Sequence, residues 1–225
     1  MGLDWGNVPG WIAALTAVIA ATVGLRQFRL ATRAQIDQVQ VARAKLLLEI
    51  DANYESADIY RSRKAIRSLR NRSEAIVQKS NSKDKSLEGV KKDVCVEFSH
   101  QMGELWKLVK DLDDPDVEKQ DSAARLASDR YAELMSLPYW IETVGMLCNR
   151  NLLPTDDVLD LYDQVIITTM SSFAIHIERR RQEGPFVNPR FLANASWMLE
   201  QALVYKSNRD SPPASRPGKS PTRWN

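Results

Sequence analysis

Hydrophobic residues fall into one unbroken block at the start of this chain and into periodic stripes thereafter. The block is residues 8–25, VPGWIAALTAVIAATVGL, 18 positions without a charged side chain, and Arg26, Arg29 and Arg33 follow at once. As a helix such a run reaches about 27 Å, close to the roughly 30 Å of a bilayer's hydrocarbon core. Asn7 is placed to cap it, and Pro9 falls in the first turn, where its missing N–H costs nothing. Trp5 and Trp11 sit where an interfacial aromatic belt belongs, and Arg26 and Arg29 can snorkel toward lipid phosphates. A secretory signal needs positive charge ahead of its apolar core, whereas Asp4 is the only charged side chain there. The expectation is a membrane anchor over residues 1–30, with the N-terminus outside and everything beyond Arg26 in the cytoplasm.

The stripes that follow have the period of helices. Residues 31–56 are predicted to extend the anchor as a juxtamembrane helix. Ile36, Val39, Leu46 and Ile50 recur at three- and four-residue steps, interrupted by Arg43. Asn53 and Ser56 mark a stop and a restart, with Ser56 as N-cap. A helix over 57–79 turns Ile59, Ile66, Leu69 and Ile76 inward. After a polar loop at 80–86, a helix over 87–112 carries Val94, Phe98, Leu105, Val109 and Leu112. Asp114-Pro115 opens another start. A helix over 123–149 buries Leu126, Tyr131, Leu134, Ile141, Val144 and Leu147, and Pro138 is predicted to kink or split it. Asn151 ends it and Pro154-Thr155 opens a helix over 156–181, with Asp156 and Asp157 at the end that favours anions and Arg179–Arg181 at the end that favours cations. That helix buries Val158, Leu161, Val165, Ile166, Met170, Phe173 and Ile177. Asn188-Pro189 is predicted to start a last helix to Lys206, carrying Phe191, Trp197, Leu199 and Leu203. Residues 207–225 read as a disordered tail.

Gly and Pro are scarce before position 184 while Leu, Ala, Glu, Lys and Arg dominate, which makes the fold class all-α. The organisation expected is a single N-terminal transmembrane helix continuing into a cytoplasmic bundle of five or six helices, residues 57–206. The net charge of +2 conceals segregation: residues 26–110 balance to +7, 111–163 to −9 and 164–225 to +5. Blocks of opposite sign can pair within one fold or between copies of it. Cys95 and Cys148 are expected to be reduced thiols.

Small residues recur at four-residue spacing along the anchor, in the rows Ala13, Ala17, Ala21 and Thr16, Ala20, Gly24. Such rows let two backbones approach, which suits helix association in a membrane; Ala is also simply common in short anchors. The densest polar feature is the basic patch Arg61, Arg63, Lys64, Arg67, Arg70 and Arg72, six cations in twelve residues without an acid. It suits anionic lipid headgroups, a solvated face, an acidic protein surface or, less well, RNA. Nucleic acid is disfavoured because only Tyr60 stands by for base stacking.

Catalytic and metal signatures fail on inspection. Glu97, His100 and Glu104 share one helix face, but a di-iron bundle needs a second Glu-x-x-His, and position 173, three before His176, is Phe. Gly218-Lys219-Ser220 imitates a phosphate loop, yet position 213 is Pro and Pro221 stops the helix that must follow. No cofactor or metal is expected. Trp106, Trp140 and Trp197 lie within apolar stripes and read as core anchors.

Tyr139-Trp140-Ile141-Glu142 with Gly145, then Asn151-Leu152-Leu153, a helix with Val158, Tyr162 and Ile166, the basic end Arg179–Arg181 and a final helix with Leu199 resemble a broad bacterial family of uncharacterised proteins. Tyr54–Ser56 ahead of Arg61 and Arg67 is similar to that family's second helix. The resemblance covers residues 5–205 and implies one membrane helix, an all-helical cytoplasmic domain, a bacterial inner-membrane location and a tilt toward anti-phage defence. A looser likeness is to membrane accessory proteins of RNA-guided defence with HEPN-type domains. That nuclease motif is Arg, four to six intervening residues, then His. Here Asp93, Val94 and Cys95 precede His100, and Thr169, Met170 and Ser171 precede His176.

The function expected is a membrane-anchored helical protein that acts by self-association and by binding a protein partner, with basic 57–92 and acidic 111–163 pairing neighbouring copies. Two alternatives stand beside it: a tethered ribonuclease using Arg63, Arg67 and His100, and an oligomeric pore with Thr16 and Thr22 turned inward.

Overall fold

Between Trp11 and Tyr54 the chain has no proline and a single glycine, Gly24, so nothing in its backbone chemistry interrupts a helix there. It forms one: α1, Val8–Tyr54, 47 residues long. The structure, a computed structural model, describes residues 8–80, 86–110, 122–182 and 187–210, apart from the side chains of residues 8–21, 80, 110, 123 and 124. The remaining helices are α2 (Ala57–Ser80), α3 (Leu87–Lys110), α4 (Ser122–Asn149), α5 (Thr155–Gln182) and α6 (Ala193–Asp210). Among the described residues there is no strand, as the all-α composition requires.

Two compact units result, Met1–Leu48 and Glu49–Asn225. In the first, residues 22–45 of α1 are exposed throughout. Among the described residues no helix is long and apolar enough to cross a membrane. Trp5 lies outside the described residues, as do the side chains of Trp11, Ala13, Thr16, Ala17, Ala20 and Ala21. Gly24 is described, and a Cβ there would meet nothing within 4 Å.

The second unit holds the last turn of α1 and helices α2 to α6. Helix boundaries follow local chemistry. The Ser56 hydroxyl accepts the Ile59 N–H at 3.4 Å, and Ser86 does the same for Gly89 at 3.3 Å, each capping the helix that follows. Asn151 adopts φ 57°, and its N–H and that of Leu152 return to the carbonyls of Cys148 and Leu147, both at 2.9 Å. That left-handed cap closes α4.

Helix α4 runs through Pro138 without splitting. Pro138 has no N–H for the carbonyl of Leu134, four residues back. Ser62 of α2 supplies the missing group: its hydroxyl donates to Leu134 O at 3.3 Å and accepts the Leu137 N–H at 3.0 Å. Ser62 is 0% exposed. The hydroxyl of a neighbouring helix thus completes the ladder that the proline opens.

Helix α6 starts later and ends later than its sequence suggests. Asn188-Pro189 opens a turn rather than a helix, with the Asn188 side chain accepting the Arg190 N–H at 3.0 Å. Leu192 takes φ 50°, and Arg181 fixes that strained connection by donating to Phe191 O, Leu192 O and Ser196 Oγ at 2.9, 3.0 and 2.9 Å. The Glu142 carboxylate then caps α6, accepting the Ala195 N–H and the Asn194 side-chain amide, both at 2.7 Å. At the far end Ser207 to Asp210 are helical, where a disordered tail was expected from position 207. Tyr205 donates to Asp160, and Arg209 reaches Asp163 at 3.8 Å, tying that end to α5. Residues 211–225 lie outside the described residues, as do Leu112 and Asp114-Pro115.

Phe98 and Phe173 centre the core at 5.0 Å, edge to face, with Met102, Leu134, Ile141, Ile166 and Met198 fully buried around them. Four stripe positions expected inside are outside: Ile76, Leu126, Leu161 and Leu203 are exposed. In each case an immediate neighbour is buried instead, Val77, Ala127, Tyr162 and Ala202. One step along a helix is 100°, so a register read one residue off, early at the first three and late at Leu203, exchanges an inward for an outward position.

Ser62→Ala should cost about 2–3 kcal/mol in urea unfolding, because it leaves the buried Leu134 carbonyl without the partner that Pro138 cannot supply and removes a bond to the Leu137 amide. Adding Pro138→Ala returns an N–H to Leu134, so the double variant should lose less than the two singles combined. Gly145→Ala should also destabilise, by about 1–3 kcal/mol, since a Cβ there falls 2.6 Å from Asn194 O and 2.7 Å from Met198 Cγ.

Candidate functional site

The six cations of α2 do not form one face in space. Ile59, Ser62, Ile66, Leu69, Ser73 and Val77 take the inner stripe, and the basic residues divide around it. Arg61 pairs with Asp58 and lines a hollow shared with Asp129 and Glu133. Arg72 lines a second hollow beside Glu97, His100 and Glu104. Lys64 is exposed. Arg63, Arg67 and Arg70, at four- and three-residue steps, share the wall of a third, a crevice of about 610 Å³ between α2 and α5.

Packing explains the crevice. Helices α2 and α5 each pack against α3 and α4 but have no comparable contact with one another. The space between them keeps its polar lining: Gln164, Thr168 and Ser172 from α5 at four-residue steps, Asn71 from α2, and Tyr54 from the last turn of α1. Glu74 is the one carboxylate on the wall, and it pairs with Arg70 at 3.3 Å. Arg63 lies over the Tyr54 ring at 4.4 Å, reaches Glu55 only at 3.9 Å, and its Nε is buried without a hydrogen-bond partner. Arg67 is exposed and has no ion pair among the described residues. Among the described residues, Arg61, Arg63 and Arg70 pair with carboxylates of residues 55–74.

Aromatic packing holds the Tyr54 end rigid. Tyr54, Trp140 and Tyr162 contact one another at ring separations of 5.0–5.1 Å. Tyr162 donates to Asp51 at 2.7 Å, and burial together with that bond pushes its phenol pKa up. Sequence reasoning singled out the arginines but missed Tyr54 and the α5 row. The signal was available: Gln164, Thr168 and Ser172 form a polar row at four-residue spacing along α5.

The two histidines sit apart from this crevice and from each other. His100 is exposed and stands 4.0 Å from Glu104, whose carboxylate also pairs with Lys107 at 2.7 Å and is held below the usual carboxylate range by it. Arg63 and Arg67 line one hollow and His100 another, so the triad posed for a ribonuclease is not assembled. No group of residues among those described could hold a metal ion. Cys148 is a free, buried thiol whose pKa burial pushes up to about 11.

His176 is core, 2% exposed, with Nε2 at 3.2 Å from the Tyr131 hydroxyl. Phe173 and Phe191 stand edge-on to its ring, and Arg180 stacks over Trp106 at 3.7 Å. Burial first, then Arg180 and Arg179, push its pKa down to about 4, so the imidazole is neutral at pH 7.

No family model, curated protein or solved structure matches this chain, so its function is argued from its own residues.

His176 yields a pH signature. Its folded pKa lies below the unfolded value of about 6.5, so protons favour the unfolded chain. Stability is complete above pH 6.5 and is lost as pH falls toward 4. His176→Gln, which keeps a partner for Tyr131 without titrating, should narrow the difference in unfolding free energy between pH 7 and 4.5 by about 2 kcal/mol.

Proposed function

We propose that the chain is a single-pass membrane-anchored helical protein that acts by association rather than by catalysis. Residues 8–25 are the anchor, the N-terminus lies outside, and the unit Glu49–Asn225 is cytoplasmic. The observation that carries this reading is the 18-residue uncharged run closed by Arg26, Arg29 and Arg33. Placing that charge on the inner side follows the positive-inside bias.

The described part of α1 supports the reading. Val23, Leu25, Phe28 and Leu30 are exposed large apolar residues interleaved with Arg26 and Arg29, with Phe28 72% exposed. Apolar side chains alternating with arginines suit the boundary of a bilayer, where stems sit in hydrocarbon and heads reach phosphates. Further along, Ile36, Val39 and Val41 are also exposed, which suits a second copy of the same helix. The small-residue rows at Ala13, Ala17, Ala21 and Thr16, Ala20, Gly24 offer a contact for that pairing within the lipid.

The test is extraction. Expressed in bacteria, the full chain should stay in the membrane pellet after alkaline carbonate and leave only with detergent. Val18→Arg places a cation mid-run at a cost of about 2.5–3.5 kcal/mol and should release a substantial fraction. Recovery of the unaltered chain in the soluble fraction would overturn the proposal.

A further inference from the structure

We propose that the crevice between α2 and α5 is a binding site for a phosphate-bearing ligand with an apolar body. This goes beyond the anchoring role and does not depend on it.

The polar end fits phosphate. Arg63, Arg67 and Arg70 bring three guanidinium groups to one wall, where Glu74 pairs with Arg70 and Glu55 stands 3.9 Å from Arg63. Arg67 has no ion pair among the described residues, and Arg63 stacks on Tyr54 rather than making a close ion pair. A row of planar, permanently charged forks matches the several oxygens and double charge of a phosphate monoester better than the two oxygens of a carboxylate. On the facing wall Ser172 donates to Thr168 O at 3.0 Å, so its oxygen keeps lone pairs for a ligand hydroxyl, and Gln164, about two turns away on the same wall, is exposed.

The other end fits an apolar group. A second hollow of about 490 Å³ adjoins the first, with Arg70, Glu74, Thr168 and Ser172 on the walls of both. Its remaining wall carries the apolar side chains Leu87, Val90, Val94, Phe98 and Ile167 together with Cys95, and the polar Gln78, Lys91 and Ser171. Each falls within the size range of small-molecule sites, and the second adds the larger apolar surface beside the arginines of the first. A free phosphorylated metabolite and a phospholipid headgroup region share this chemistry, and the experiment separates them.

The full chain in a neutral detergent is titrated calorimetrically with hexyl phosphate as the free probe and dioctanoyl phosphatidic acid as the lipid probe. Binding of hexyl phosphate that falls about tenfold in Arg67→Gln and is unchanged in Arg61→Gln supports the site with a free ligand. The same pattern with the lipid alone supports it with a membrane source. Arg67 is exposed, so its replacement leaves packing intact, which circular dichroism checks. No binding of either probe, or equal loss in Arg61→Gln and Arg67→Gln, overturns the proposal.

Discussion

The second unit turns on one hydroxyl. Pro138 leaves the Leu134 carbonyl without its ladder partner inside a buried helix, and an unpaired carbonyl there is costly. Ser62 repairs it from outside, bonding both Leu134 O and Leu137 N. The repair requires α2 to lie against α4 at one register, because only a side chain in that place reaches both groups. With Ser62 fixed inward, the α-helical period turns Arg63, Arg67 and Arg70 toward α5 and leaves Arg61 and Arg72 on other faces. The serine bridge at the proline therefore sorts five of the six cations among three hollows and leaves Lys64 exposed.

The next two turns of α4 show the same economy. Glu142 caps α6 while Gly145, one turn further, gives up its side chain so that α6 can approach to within van der Waals distance of the α4 backbone. Those two residues belong to the stretch Tyr139–Gly145. Trp140 of the same stretch packs on Tyr54 and Tyr162, linking α4 to the wall of the crevice. The stretch is thus a set of packing and capping contacts.

Much of the fold was legible in the sequence because its signals are local. Ser56, Asn151 and the charges of Thr155–Gln182 mark helix ends through their own backbone, and each lies where expected. What escaped was non-local. Ser62 and Ser73 are polar residues inside an apolar stripe, and nothing in their neighbourhood tells of a proline 76 positions beyond Ser62. The start of α6 depends on Glu142 and Arg181 from other helices, so Asn188-Pro189 was a misleading local signal. The crevice was half legible: its arginines stand out by charge, whereas Tyr54 and the α5 polar row gain meaning only from their position opposite.

Residue-resolved amide hydrogen exchange at Leu137 tests the role of Ser62 most directly. The account predicts slow exchange in the unaltered chain, and markedly faster exchange in the Ser62→Ala variant, while Val144, seven residues further along α4, keeps its rate. Equal rates at Leu137 in the two proteins would mean that Ser62 does not hold α4 at the proline, and the placement of the arginine row would lose its physical cause.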